Sequence, residues 1–164
     1  MKPVLRLLAL AGLFVLNAGA ASAAAKVTYT HPENFADLPF SSWDRENTLA
    51  QFTDYFNKLA KALPAGQDID IEVLDIDLAG REYPGARSGR DIRIVRGGAD
   101  WPRMHLKYSL VQGGAVVKSG DVQLSDMNYL YHLPRYSDGD PLRYEKQMID
   151  DWFEKTIGPA YPKK

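Results

Sequence analysis

Apolar and polar residues alternate from Lys26 to Thr30, with Val27 and Tyr29 on one side of a short strand that His31-Pro32 closes. A proline-containing connection follows over residues 31–41. Ser41 then offers a helix N-cap, with Asp44 three residues on in the manner of a capping box. Leu49, Phe52, Phe56, Leu59 and Leu63 recur at intervals of three and four, which places them on one face of a helix that Pro64 and Gly66 stop. Each of these anchors, once buried, contributes roughly 1.5–3 kcal/mol against the ordering entropy of the chain.

Residues 68–78 change the period to two. Ile69, Ile71 and Val73 alternate with Asp68, Asp70 and Glu72, but after Leu74 the parity flips, and Ile76 and Leu78 now alternate with Asp75 and Asp77. One slip in an otherwise strict alternation predicts a long strand with a β-bulge near Val73-Leu74. A loop containing Gly and Arg spans 80–90, a short strand 92–95, and a further connection passes through Gly97-Gly98 and Trp101-Pro102. Met104, Leu106, Tyr108 and Leu110 alternate with His105, Lys107 and Ser109 as a half-buried strand, and Gly113-Gly114 is a two-residue hairpin signal that returns residues 115–124 antiparallel. The aromatic-rich segment 128–136 adds a short edge strand. Asp140-Pro141 supplies an N-cap and a proline at the first helical position, Leu142, Met148, Ile149, Trp152, Phe153 and Ile157 form a buried stripe, and Gly158-Pro159 ends the helix. The resulting order, β-α-β-β-β-β-α, predicts an α+β fold: a mostly antiparallel sheet of four to five strands with two helices packed on one face.

The start of the chain has a different character. Lys2 and Arg6 precede an unbroken apolar run over 7–16, and Ala21-Ser22-Ala23 fits a small-x-small cleavage site, with Ala23-Ala24-Ala25 as a second one. A retained membrane span needs about 20 apolar residues, and this run is about half that before Asn17. Residues 1–23 therefore read as a secretory signal peptide and 24–164 as a single domain, with no stable membrane span once the signal is cleaved. No twin-arginine pair precedes the apolar run, which points to the general export route.

Removing those 23 residues from 164 leaves 141, without two of the 20 basic residues and with all 21 acids, so the mature charge is −3. A slightly acidic domain is a poor partner for nucleic acid, whose binding rests on cations neutralising phosphate. The absence of cysteine excludes a disulfide framework, a thiolate zinc site, a cysteine nucleophile and a lipidated cysteine.

The run Leu63–Arg81, with Asp91-Ile92-Arg93-Ile94-Val95 and Trp101-Pro102-Arg103, resembles domain-of-unknown-function family 3016 of exported bacterial proteins. Tyr108-Ser109-Leu110, the glycine hairpin with Ser119-Gly120, Leu124-Ser125-Asp126 and Pro141-Leu142-Arg143-Tyr144-Glu145-Lys146 are similar too, so the likeness covers most of residues 26–157. Trp101 departs from the family pattern, which has a second proline there. The resemblance implies a periplasmic or secreted protein and supplies no catalytic or binding residues.

Candidate chemistry is sparse. Asp75-x-Asp77-x-Ala79-Gly80 begins like a calcium loop but has Ala79 and Ala86 where two ligands belong, so a solvated strand face paired with Arg93 or Lys107 explains the acids more simply. Asp138-Gly139-Asp140 reads as a turn leading into the helix cap. His31, His105 and His132 have no short-spaced partner for zinc, and neither GxSxG nor HExxH is present. A carboxylate pair has no sequence specificity among so many acids.

Two regions remain. Arg81, Arg87, Arg90 and Arg93 in the glycine loop, joined by Arg103, suit bidentate binding of a carboxylate or phosphate, against a plainer reading in which they pair with nearby acids. Tyr129, Tyr131, His132, Arg135 and Tyr136 suit stacking on a sugar or a partner protein, against a plainer reading as aromatics packed over the core.

With no self-consistent catalytic set, the expectation is a non-catalytic accessory or binding module of the bacterial envelope, periplasmic or released outside the cell. It needs no cofactor or metal, and it contacts an envelope protein or a small anionic or sugar ligand through those arginines or tyrosines. The alternatives are a small carboxylate-dependent envelope hydrolase, with His105 or His132 assisting, and a metal-binding periplasmic protein in which the histidines or Asp75 and Asp77 converge.

Overall fold

The structure, a computed structural model, describes residues 23–85 and 91–158. All but the last residue of the expected signal peptide, together with Arg87 and Arg90 and the Pro159 stop, lie outside the described residues.

The longest strands surround β2 (Gln67–Asp77), which pairs parallel with β1 (Ala25–Tyr29) and antiparallel with β5 (Arg103–Gln112); β6 (Ala115–Ser125) closes the order β1-β2-β5-β6. The sheet is thus mixed, not joined by hairpins throughout. The parallel pair follows from α1 (Ser42–Ala60), which carries the chain back across the sheet between β1 and β2, as a parallel connection requires. A second correction concerns residues 92–95. β4 (Ile92–Ile94) does not join the main sheet but pairs with β3 (Arg81–Tyr83), inside the segment expected as loop, to make a separate two-stranded ribbon.

The parity of β2 sets which face is covered. Ile69, Ile71, Val73 and Ile76 stand opposite Leu110, Tyr108, Leu106 and Met104 of β5, and all are buried in one cluster with residues of both helices. Both helices therefore pack on that face. The expected bulge is present: Val73 faces Leu106 and Asp75 faces His105, leaving Leu74 as the extra residue. On the open face Glu72 stands opposite Lys107, whereas Arg93 lies elsewhere.

Ser41 caps α1 by accepting a hydrogen bond from the Asp44 N–H at 3.4 Å, and Phe52, Phe56 and Leu59 are buried as the spacing requires. Leu49 and Leu63 are only half-buried, and Tyr55 and Ala60 complete the covered face. The second helix, α2 (Arg143–Thr156), begins two residues later than the Asp140-Pro141 signal predicts. Asp140 instead accepts the Leu142 N–H at 2.9 Å and pairs with Lys146 at 2.7 Å, closing a local turn ahead of the helix. Residues 128–136 are not an edge strand. Asp126 accepts the Asn128 N–H at 3.1 Å and the Tyr131 N–H bonds the Asn128 carbonyl at 2.8 Å, which turns the backbone away from β6.

Gly80 joins β2 to the ribbon at φ +82°, and its N–H donates to the Asp100 carbonyl at 2.8 Å. A Cβ there would stand 2.6 Å from the Ile94 carbonyl oxygen, whereas at Gly66, with a similar φ of +80°, it would meet open space. Gly66→Ala should cost about 1 kcal/mol from the left-handed backbone alone, and Gly80→Ala about 2–4 kcal/mol because β4 must also move. Urea denaturation of the two variants tests this, and equal losses would refute the close packing of the ribbon on Gly80.

Candidate functional site

The family-like motifs meet where β2 ends. Glu145, in the first turn of α2 and 2% exposed, accepts the Ala79 N–H at 2.7 Å through Oε1, while its Oε2 has no partner among the described residues. Burial pushes its carboxyl up to about 7, against the opposing effects of the Ala79 N–H and the charges of Arg93 and Arg143. Around it, Arg93 grips Asp37 with both guanidinium nitrogens at 2.7 and 3.2 Å, and Arg103 grips buried Asp77 and stacks over the Trp101 ring with its guanidinium 5.4 Å from the centroid.

This divides the arginine set expected to act together. Arg93 and Arg103 are each committed to an acid, Arg81 is exposed on β3, and Arg87 and Arg90 lie outside the described residues. Asp75 accepts the Ala36 N–H at 2.7 Å, so the calcium-like pair does not converge. Among the described residues no group of three acids or histidines stands close enough to hold a metal.

A second buried carboxylate lies further along α2. Asp150, fully buried, accepts hydrogen bonds from the phenols of Tyr55 and Tyr136, the latter at 2.6 Å, which brings the two phenol oxygens side by side. Burial, then the bonds to Asp150 and Tyr136, hold Tyr55 well above the ordinary tyrosine range. Arg135 reaches this pair from outside, 3.9 Å from Asp150 and 2.9 Å from Asp151.

The tyrosine segment does come together with α2. Tyr129, His132, Arg135 and Tyr136 line a cleft of about 90 Å³ whose other wall is Arg143, Tyr144 and Gln147. Tyr129 is buried, edge-on to Tyr144 at 4.8 Å, and donates its hydroxyl to Asp100 at 2.8 Å; burial first and that bond second raise its pKa. Gln147 donates to the Leu133 carbonyl at 3.4 Å and so ties the segment to the helix. His132 pairs with Asp126 at 3.0 Å. Arg143 meets only neutral oxygens, the carbonyls of Asp138 and Asp140 and the Tyr144 hydroxyl at 3.1–3.4 Å, with no carboxylate within 4 Å among the described residues. Tyr131 points away and is 89% exposed.

Sequence reasoning missed Arg143, Tyr144 and Gln147: Tyr144 and Gln147 meet Tyr129 and Leu133 more than ten positions away, and Arg143 is oriented by a turn ahead of the helix that has no period of its own. Glu145 and Asp150 left a clearer trace. Glu145 falls three and four residues before Met148 and Ile149, and Asp150 three before Phe153, so both acids sit within the apolar phase of the helix.

A family model described as a protein of unknown function, DUF3016, matches residues 23–155, and the chain belongs to that family. No curated protein and no solved structure compared with the chain matches it.

Two outcomes follow from the buried acids. An unfolded glutamate loses its proton near 4.5 and folded Glu145 near 7, so the folded state binds the extra proton between those values. Its stabilising effect is fully present below about 4.5 and is lost, up to roughly 3 kcal/mol, as pH rises through 7. Glu145→Gln should flatten the decline in urea-unfolding stability between about pH 5 and pH 8, and an unchanged slope would assign that decline to other groups. Tyr55→Phe, which removes one donor from the buried Asp150 carboxylate, should destabilise by about 1–3 kcal/mol, and an unaltered melting temperature would rule out a structural role for that bond.

Proposed function

We propose that this member of the DUF3016 family is an exported binding module of the bacterial envelope that holds a small anionic group in the cleft between residues 129–138 and the first turns of α2. The observation that carries the reading is Arg143 in the wall of one small concavity, beside the Tyr144 hydroxyl and free of any carboxylate within salt-bridge distance among the described residues, with Arg135 and His132, each paired with an acid, on the same lining. The Arg143 fork and the Tyr144 phenol are donors, and a cleft of about 90 Å³ suits a single carboxylate or phosphate group. The leader pattern over residues 1–23 supports export.

A binding role is favoured over a hydrolytic one because the lining of the cleft holds a single acid, Asp138, and no second carboxylate to pair with it. Asp37, Asp77 and Asp150 each bond an arginine or tyrosine inside the fold. Glu145, the acid with the raised pKa, is sealed beneath Ala79 and stands outside the lining of the cleft.

The test is native mass spectrometry of the full-length chain expressed in a bacterial host and recovered gently from the periplasm, followed by thermal denaturation with inorganic phosphate and with acetate. The expected result is a mass lacking residues 1–23 or 1–25, and an anion-dependent rise in melting temperature that Arg143→Met abolishes. Occupancy at a hundredfold excess over the dissociation constant stabilises by about 2.7 kcal/mol, a shift readily measured. An intact leader would overturn the export part, and indifference to both anions in the parent chain would overturn the ligand.

A further inference from the structure

A second surface runs along the outer edge of β6. This strand is the last of the four, runs for eleven residues, and is exposed over most of its length, with Val116 and Val117 60% and 53% exposed. Its only backbone partners among the described residues are on β5 and the segment just before it. An uncovered edge presents a row of N–H and C=O groups that another extended chain can satisfy, and natural edges are usually shortened, bent by proline or covered. Here the strand is long and proline-free, and the segment expected to extend the sheet beyond it turns away instead.

What lies beside the edge narrows the occupant. A groove of about 360 Å³ runs between the end of β6 and α2, with Leu124 and Ser125 on the strand side and Met148, Trp152, Lys155 and Thr156 on the helix side. Trp152 is 6% exposed and its indole N–H has no acceptor among the described residues. Lys118 reaches across from β6 to donate to the Thr156 carbonyl, and Lys155 is exposed on the rim. Neither lysine has a carboxylate within 4 Å among the described residues, whereas Asp126 and Asp151 on the same rim already bond His132 and Arg135. Lys118 and Lys155 thus stand as two cations without a carboxylate partner among the described residues, at the end where β6 meets the last turn of α2.

We propose that β6 and the flank of α2 bind an extended peptide segment of another protein, added as a fifth strand, with alternate apolar side chains in the groove and an acidic side chain against Lys118 and Lys155. The backbone ladder supplies affinity without sequence preference, and the groove and the two lysines supply selection, as in other cases where a peptide joins a sheet beside a helix. The groove adjoins the anion cleft, since His132 lines both, but the strand edge and the two lysines are not part of that cleft.

The experiment selects binders to the purified mature chain from a phage-displayed library of random nine-residue peptides, then follows amide hydrogen exchange with the synthetic peptide bound. The expected peptides alternate β-branched or aromatic residues and carry at least one Asp or Glu. Their binding should slow exchange at the amides of residues 115–125 that exchange freely in the unbound chain. Lys118→Glu with Lys155→Glu should weaken them by about tenfold or more and shift a repeated selection toward basic peptides. Peptides that leave exchange in β6 unchanged, or that bind the charge-reversed chain equally well, overturn the proposal, as does a library that yields no binder. Protection of β6 that appears without peptide and grows with protein concentration would overturn it in favour of pairing between two copies of the chain.

Discussion

The contact on which the arrangement depends is the one between a helical acid and a strand-end amide. Glu145 leaves the first turn of α2, enters the space at the end of β2 and takes the Ala79 N–H. Without it that amide would be a buried orphan, and the first turn of α2 would lose its hydrogen bond to the end of β2, leaving the polar ties of the helix to Asp150, Gln147 and the Thr156 carbonyl further along. Apolar packing is tolerant of sliding by a fraction of a turn, whereas a single buried hydrogen bond is not. The strict position of α2 then decides where Arg143 and Gln147 stand, and hence where the cleft opens.

The same corner shows why the arginines favoured by composition are not free to act. Arg93 and Arg103 each sit beside an acid that the fold covers, half-buried Asp37 and buried Asp77, and an acid in that setting binds its guanidinium more firmly than an exposed one does. Such pairs add little net stability, but breaking one leaves an uncompensated charge, so they hold the strand ends in register. Arg143 differs because its neighbours are carbonyls and a phenol. Those oxygens orient the fork without neutralising it.

The two open surfaces have a common origin. Because the chain turns at Asp126 in place of pairing on, β6 remains an edge, and the diverted residues 129–138 fall across the start of α2 and make the cleft. One Asx turn thus produces both a bare strand and a walled pocket, and the tyrosines in the diverted piece divide between core and surface according to which way the turn points them.

Much of the fold was legible because it rests on periodicity. The spacing of Phe52, Phe56 and Leu59, the parity slip at Leu74 and the Gly113-Gly114 turn each report a local geometric requirement, and each element formed where it was read. The antiparallel bias was misread because strand direction depends on where a crossover helix returns, and the placement of 92–95 because a three-residue strand can pair with whichever neighbour reaches it. The tyrosine segment was visible as chemistry, yet its secondary structure and its partners were not, since a run of aromatics has no period of its own. By itself the sequence determined the α+β class, the main helices and strands and the family; only the tertiary structure decided which charges are spent on one another and which remain. Pairing of Arg93 with Asp37, or of Glu145 with Ala79, joins residues more than fifty positions apart, and no local spacing encodes a distance that only the packed chain brings to hydrogen-bond length.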